Sequence, residues 1–181
     1  MPLAAMKKIT KRTAQELVAE YGTPIDLVRL LKDEEITLKR EDMEDSISGM
    51  IVIKPADTTI VVNSSHHHSR QRFTIAHECG HYFLHADSAS AFIDQSEKIF
   101  LRDAVSACGT QRQEVQANWF AAELLMPKDY LLKKFDTKKI DLYDDYPLRL
   151  LASELKVSVQ ALVVRLTALG LIPNDCYEPH V

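Results

Sequence analysis

Phe73-Thr74-Ile75-Ala76-His77-Glu78-Cys79-Gly80-His81-Tyr82 sets the pattern H-E-x-x-H inside an apolar, helix-forming run. On an α-helix, residues four apart lie about 40° apart around the axis and roughly 6 Å along it, so His77 and His81 turn both imidazoles toward one ion. Glu78 lies beside that seam, where a carboxylate can take a proton from an activated water without being a ligand. The same five letters also occur as two surface histidines beside a solvated glutamate, so the rest of the chain has to decide.

Catalytic zinc takes three protein ligands and leaves one position open, so a third ligand is needed downstream. His85 shares the face of His77 and His81 but lies about 12 Å along the axis from His77, too far for bonds of roughly 2 Å to one ion. The longer pattern H-E-x-x-H-x-x-G-x-x-H fails, because Leu84 and Asp87 occupy its last two fixed positions. Glu114 is the better candidate. It opens Glu114-Val115-Gln116-Ala117-Asn118-Trp119-Phe120-Ala121-Ala122, where small Ala117 and Ala121 lie near the same face and permit close approach to the metal helix. Asn118, one turn on, is placed to hydrogen-bond a ligand. Glu123 is the rival, and its plainer reading is a solvated surface acid.

Upstream, residues 9 to 20 predict a first helix, with Ala14, Leu17 and Val18 inward and Gly22 as its stop. Thr23-Pro24-Ile25-Asp26 predicts a second start, capped by Thr23, with Leu27, Val28, Leu30 and Leu31 as its buried stripe. Ile36-Thr37-Leu38, Gly49 to Ile53 and Thr58 to Val62 are β-branched runs, the last two joined by a hairpin at Pro55-Ala56-Asp57. They predict a small antiparallel sheet. Ser69 is the expected cap of the metal helix, which runs to about Ala86. The three histidines His66-His67-His68 point in different directions and read as solvent-facing loop residues.

Downstream, Ser88-Ala89-Ser90 predicts a loop, Ile99-Phe100-Leu101 a short strand and Cys108-Gly109-Thr110 a turn. A helix from about Gln111 to Leu125 is stopped by Pro127. Asp129 to Phe135 and Leu148 to Gly170 are again helical, the latter split at Val157-Ser158 with Ser158 as a cap and Gly170 as a stop.

The chain has 181 residues, 46% apolar content and a net charge of −4. That predicts one domain with a real core and no general attraction for nucleic acid. The basic cluster Lys7, Lys8, Lys11 and Arg12 reads as an ordinary solvated helix start. No apolar run approaches the ~20 residues that span a bilayer, and the first residues lack the pattern of a signal peptide, so the expected location is cytoplasmic with no membrane partner. Cys79, Cys108 and Cys176 are odd in number and unpatterned, against a disulfide framework. Cys79 projects about 200° around the helix from His77 and reads as a small core residue.

Arg72 to His85, followed by Glu114-x-x-Ala117-Asn118-x-Phe120-Ala121-Ala122-Glu123-Leu124-Leu125-Met126-Pro127, resembles the ImmA/IrrE family of metallo-endopeptidases. The resemblance extends more weakly to the Gly49 to Asn63 hairpin and to Leu151 to Leu166, covering roughly residues 20 to 172. It differs at Cys79, where the family pattern often has Leu or Phe. The resemblance implies an α+β fold: mostly helical, with a small antiparallel sheet packed on the H-E-x-x-H helix, a gluzincin-like minimal metallopeptidase core, and a helical C-terminal part. Residues 1–135 would be the core with the N-terminal helices and sheet, and 136–181 a helix-turn-helix-like segment packed on it.

The resemblance also implies a zinc endopeptidase with His77, His81 and Glu114 as metal ligands and Glu78 as the catalytic base. Its substrate or partner would be an Xre-type helix-turn-helix repressor in a bacterial or phage setting. The competing reading is a non-catalytic, repressor-binding or toxin-like partner of an Xre-type antitoxin on the same scaffold. Tyr82, His67, His68 and Arg165 are the candidate donors to the developing oxyanion. The helix opened by Ser158 carries Val159, Leu162, Val163, Val164 and Leu166 with only Arg165 as a cation, a poor surface for phosphate contacts, so direct nucleic-acid binding is not expected.

Overall fold

Ala14 and Leu17 face the core from helix α1, whose described part covers residues 14–21 and ends at Gly22, in the left-handed region at φ +80°. The computed structural model describes residues 14–53, 57–85, 91–95, 107–134 and 146–173, with the backbone alone for 91–95 and 107–110. The basic cluster at 7–12, the Pro55 turn, the loop at 88–90, the strand expected at 99–101 and Cys176 lie outside them.

Helix α2 spans Leu27–Asp33 and buries Leu27, Leu30 and Leu31. Its cap is Asp26, not Thr23: the Asp26 carboxylate accepts from the N–H groups of Val28 and Arg29 at 3.1 and 3.0 Å. A carboxylate beside two free amides outcompetes a hydroxyl three residues earlier, and the helix starts later than the Thr-Pro pair suggests.

Strands β1 (Ile36–Glu41), β2 (Ile47–Val52), β3 (Thr58–Asn63) and β4 (Ala91–Gln95) form one sheet in the order β1-β3-β2-β4. The β2–β3 hairpin is antiparallel as expected; β4, which the sequence reading does not predict, also pairs antiparallel with β2, but β1 runs parallel to β3, with Ile36 opposite Thr58 and Glu41 opposite Asn63. The sheet is therefore mixed rather than antiparallel throughout. The 42–46 turn leads to a β2 that lies two strand spacings from β1, and the β2–β3 hairpin returns β3 into the gap between them. Asn63, fully buried, holds that turn: its amide donates to the carbonyls of Met43, Glu44 and Ile47 at 3.1, 3.1 and 2.9 Å, and its Oδ1 accepts from Met43 N–H and Ser65.

Ile51, Ile60 and Val62 alternate inward, and the sheet packs them against α3 (His68–His85). Contact is closest at Gly49: a Cβ there would sit 2.6 Å from the Thr74 methyl of α3 and 2.7 Å from the Val61 carbonyl. On its other side α3 packs against α4 (Ala107–Leu125). Gly80 sits at that crossing, where a Cβ would lie 2.8 Å from Ala117 Cα. Phe83 stacks on Phe120 at 5.8 Å between ring centroids.

Two helix starts differ from expectation. Helix α3 begins before Ser69, with the His67 carbonyl accepting from Arg70 and Gln71 N–H groups at 2.9 and 3.0 Å and the Ser69 hydroxyl bonded to His67 Nδ1. Helix α4 starts a turn earlier than Gln111, so Cys108-Gly109-Thr110 is helical rather than a turn. A lone glycine in a helix costs only about 1 kcal/mol, which continuation of the backbone hydrogen bonds offsets.

Beyond Pro127 come α5 (Lys128–Lys134), α6 (Tyr146–Leu155) and α7 (Val159–Ala168). Ser158 caps α7 by accepting from Ala161 N–H at 3.1 Å, and Gly170 closes it at φ +69°. Leu148, Leu151 and Leu155 of α6 and Leu162 and Leu166 of α7 are buried in the hydrophobic core. Arg165 ties α7 to the end of α4: its Nε–H donates to the Met126 carbonyl at 3.1 Å and its Nη2 pairs with Glu123. Among the described residues no helix is long and apolar enough to cross a membrane.

Candidate metal centre

Two residues four apart on α3 and one from α4 meet because Gly80 and Ala117 let the helices nearly touch. His77 and His81 bring their Nε2 atoms 3.0 Å apart. Glu114 closes the triangle, with Oε2 3.1 Å from His77 Nε2 and Oε1 3.2 Å from His81 Nε2. His77 Nδ1 bonds Asn118 Oδ1 at 3.0 Å, so the proton sits on Nδ1 and the Nε2 lone pair faces the triangle. His77 and His81 are buried, and the Glu114 side chain is 17% exposed.

The donor set fits a divalent ion. Two imidazole nitrogens 3.0 Å apart are held by a shared proton or by a cation between them, and a carboxylate beside them adds the negative charge a cation seeks. Tetrahedral bonds of about 2.0–2.1 Å place ligand atoms about 3.3 Å apart, close to the three edges seen here. Among the described residues, His77, His81 and Glu114 are the one group of His, Cys, Asp or Glu whose ligand atoms converge in this way, all within 4.8 Å. With no ion between them, burial pushes the Glu114 pKa up, but hydrogen bonds and charge from the two imidazoles in their protonated form outweigh it and bring the carboxyl from 4.5 to about 2.

Glu78 is completely buried on the same helix turn as the two histidines. His85, one turn on, is also buried; its ring centroid lies 5.8 Å from that of His81, and it stays outside the converging group. Burial lowers its pKa, His81 adds to this, and a hydrogen bond to the Gln113 backbone opposes both. Cys79 is buried in the core, where burial pushes its thiol pKa far up and Glu78 and Glu34 add to the shift.

Glu123, the rival ligand, is neither a ligand nor a solvated acid. It is a buried ion-pair partner of Arg165, and it also accepts from Gln15 at 3.5 Å and Lys128 N–H at 3.4 Å. No local signal links residues 42 apart, so sequence reading could not find this pair. The histidine run divides: His67 and His68 are exposed, whereas His66 is buried with Nε2 donating to the Asp45 carbonyl at 3.2 Å. The four oxyanion candidates are engaged elsewhere, with the Tyr82 hydroxyl toward Glu34 at 3.4 Å, His67 toward Ser69, the His68 ring tilted against His67, and Arg165 on Glu123.

Comparison with known proteins agrees with this geometry. The chain is 27% identical over 138 residues to the uncharacterised immunity region protein 2 of Bacillus phage phi105, covering 75% of this chain and 79% of that one. It is 24% identical over 143 residues to metallopeptidase ImmA of Bacillus subtilis (strain 168), covering 76% and 78%. A Mycobacterium tuberculosis transcriptional regulator shares the fold at TM-score 0.59 and 18% identity; the match takes in 94% of this chain and 48% of that longer one. A family model described as Peptidase_M78, the IrrE N-terminal-like domain, matches residues 31–167, and the chain belongs to that ImmA/IrrE family.

Proposed function

We propose that this chain is a zinc-dependent endopeptidase that cuts one specific protein, an Xre-type helix-turn-helix repressor. The observation that carries the reading is the meeting of His77, His81 and Glu114 from two helices at edges of 3.0–3.2 Å. An ImmA metallopeptidase and a phage immunity-region protein among the relatives support the setting.

In this reading His77, His81 and Glu114 hold the ion. An ion held by His77, His81 and Glu114 would supply Lewis-acid chemistry, acidifying a water and polarising the scissile carbonyl. Glu78 takes the proton of the attacking water on a carboxylate oxygen and delivers it to the leaving amine. Its complete burial keeps competing water away and suits a carboxylate that must hold a proton for part of the cycle. Asn118 fixes the His77 tautomer, and the Gly80–Ala117 contact fixes the distance from Glu114 to the histidines. Residues 1–135 make up the metallopeptidase core. The second part, 136–181, contains α6 and α7, and α7 docks on the end of α4 through Arg165 and Glu123. With its one cation paired in the interior, α7 is better suited to packing or to docking a repressor than to DNA.

The test is incubation with the repressor encoded beside this gene, followed by intact mass. Two cleavage fragments should appear, and both a chelator and Glu78→Gln should abolish them while the repressor stays bound. A sequestering or toxin-like partner would instead bind without cutting and be indifferent to Glu78→Gln.

A further inference from the structure

Helix α3 has a second lined face. His68, Gln71, Arg72 and Ile75 recur at helical spacing on a side centred about 150° around the axis from His77 and His81. They form one wall of a cleft of about 870 Å³ whose other walls are the start of α2, strand β1 and the corner between α6 and α7.

Three cations from three elements line this cleft: Arg40 of β1, Arg72 of α3 and Lys156 of the α6–α7 corner. Asp26 is the one carboxylate in the lining, and its Oδ1 is already engaged by the α2 amides. The cleft thus carries an excess of positive charge. Arg72 gives Nη2 to the Ile25 carbonyl at 2.6 Å, while its Nε is buried with no hydrogen-bond partner. The guanidinium as a whole lines the cleft, so its charge stands at the wall although its Nε is shielded from solvent. Leu31, Leu38 and Ile75 supply an apolar wall beside the cations.

Lys156 reaches the rim from an unusual backbone. It sits at φ +57° after α6, where Val157 N–H closes back on the Ala152 carbonyl at 3.0 Å. At the matching end of α7 the residue is Gly170, at φ +69°, with Leu171 N–H closing on Leu166. Glycine holds this turn with less strain, so lysine there gives up stability and places a charge at the cleft.

We propose that the cleft binds a small amphipathic organic anion. A phosphate or carboxylate head sits among Arg72, Arg40 and Lys156, and an apolar body lies against Leu31, Leu38 and Ile75. The site is on the far side of α3 from the metal triad and does not depend on the peptidase reading.

The test is isothermal titration of the full chain with octyl phosphate and octanoate, with inorganic phosphate and octanol as probes carrying only one of the two features. At least one of the two amphiphiles should bind, and inorganic phosphate and octanol should each bind at least about tenfold more weakly. Arg40→Gln and Lys156→Gln, both at exposed positions, should each weaken binding about five- to tenfold with unchanged circular dichroism. Lys156→Gly separates this from a structural role, since it should raise the melting temperature while weakening binding. The proposal is overturned if neither amphiphile binds by about 10 mM, if octanol or inorganic phosphate binds as tightly, or if the variants keep wild-type affinity.

Discussion

Gly80→Ala adds one methyl group at the place where the two ligand-bearing helices touch. That carbon would lie 2.8 Å from Ala117 Cα, 3.1 Å from its carbonyl oxygen and 3.2 Å from its Cβ. Ordinary carbon contacts are 3.5–4.0 Å, so α3 and α4 must part by about 0.7–1.2 Å. The two effects on stability oppose each other: alanine gains about 1 kcal/mol of helix propensity, and overpacking costs about 1–3 kcal/mol. Net destabilisation is then only ~0–2 kcal/mol, and the protein stays folded. The metal triangle is less forgiving. Its edges to Glu114 are 3.1 and 3.2 Å, and metal bonds tolerate deviations of about 0.2 Å, so helix separation takes the carboxylate out of range. Zinc affinity, read by competition with a chromophoric chelator, should fall by about 10- to 100-fold. Adding Ala117→Gly removes the Cβ contact but leaves the one to Cα, so it should restore affinity only in part. Wild-type zinc affinity in Gly80→Ala would refute the claim that close helix approach builds the site.

Asn118→Ala frees His77 Nδ1 to change tautomer and should lower zinc affinity about tenfold, whereas Asn118→Asp should preserve it; chelator competition reads both. Glu123→Gln or Arg165→Met leaves one charge of a buried pair without its partner and should destabilise the fold by about 3–5 kcal/mol in urea melts; replacing both together should cost less than either alone. The folded pKa of Glu114, about 2, lies below its ordinary 4.5, so its contribution to metal-free stability is present above about pH 4.5 and is lost as pH falls toward 2. Melts of wild type and Glu114→Gln should therefore differ at pH 6 and converge near pH 2; a constant difference would show that the carboxylate does not carry the effect.

What could be read from the sequence followed the range of the interactions. The i, i+4 pair His77 and His81, the inward side of Cys79, the Ser158 cap and the stops at Gly22, Pro127 and Gly170 are local, and each shows in a short window of residues. The small Ala117 beside Glu114 gave the close helix approach, because a missing side chain is itself a sequence signal. Strand order was hidden. Alternating β-branched residues mark strands but not neighbours, and the parallel β1–β3 pair depends on Asn63 reaching back across a turn some twenty residues earlier. Glu123 was hidden for the same reason, since its partner Arg165 lies three helices away. The N-cap at Asp26 was visible in principle: a carboxylate directly before Leu27 is a stronger cap than Thr23, and the Thr-Pro pair drew the start too early.

Native mass spectrometry of zinc-titrated protein, on wild type and on variants of each triad member, tests the metal site most directly. Wild type and Glu78→Gln should each take up one zinc with similar affinity, and His77→Ala, His81→Ala and Glu114→Ala should each lose it. Undiminished uptake by Glu114→Ala would contradict the account, because the carboxylate from α4 would then have no part in holding the ion.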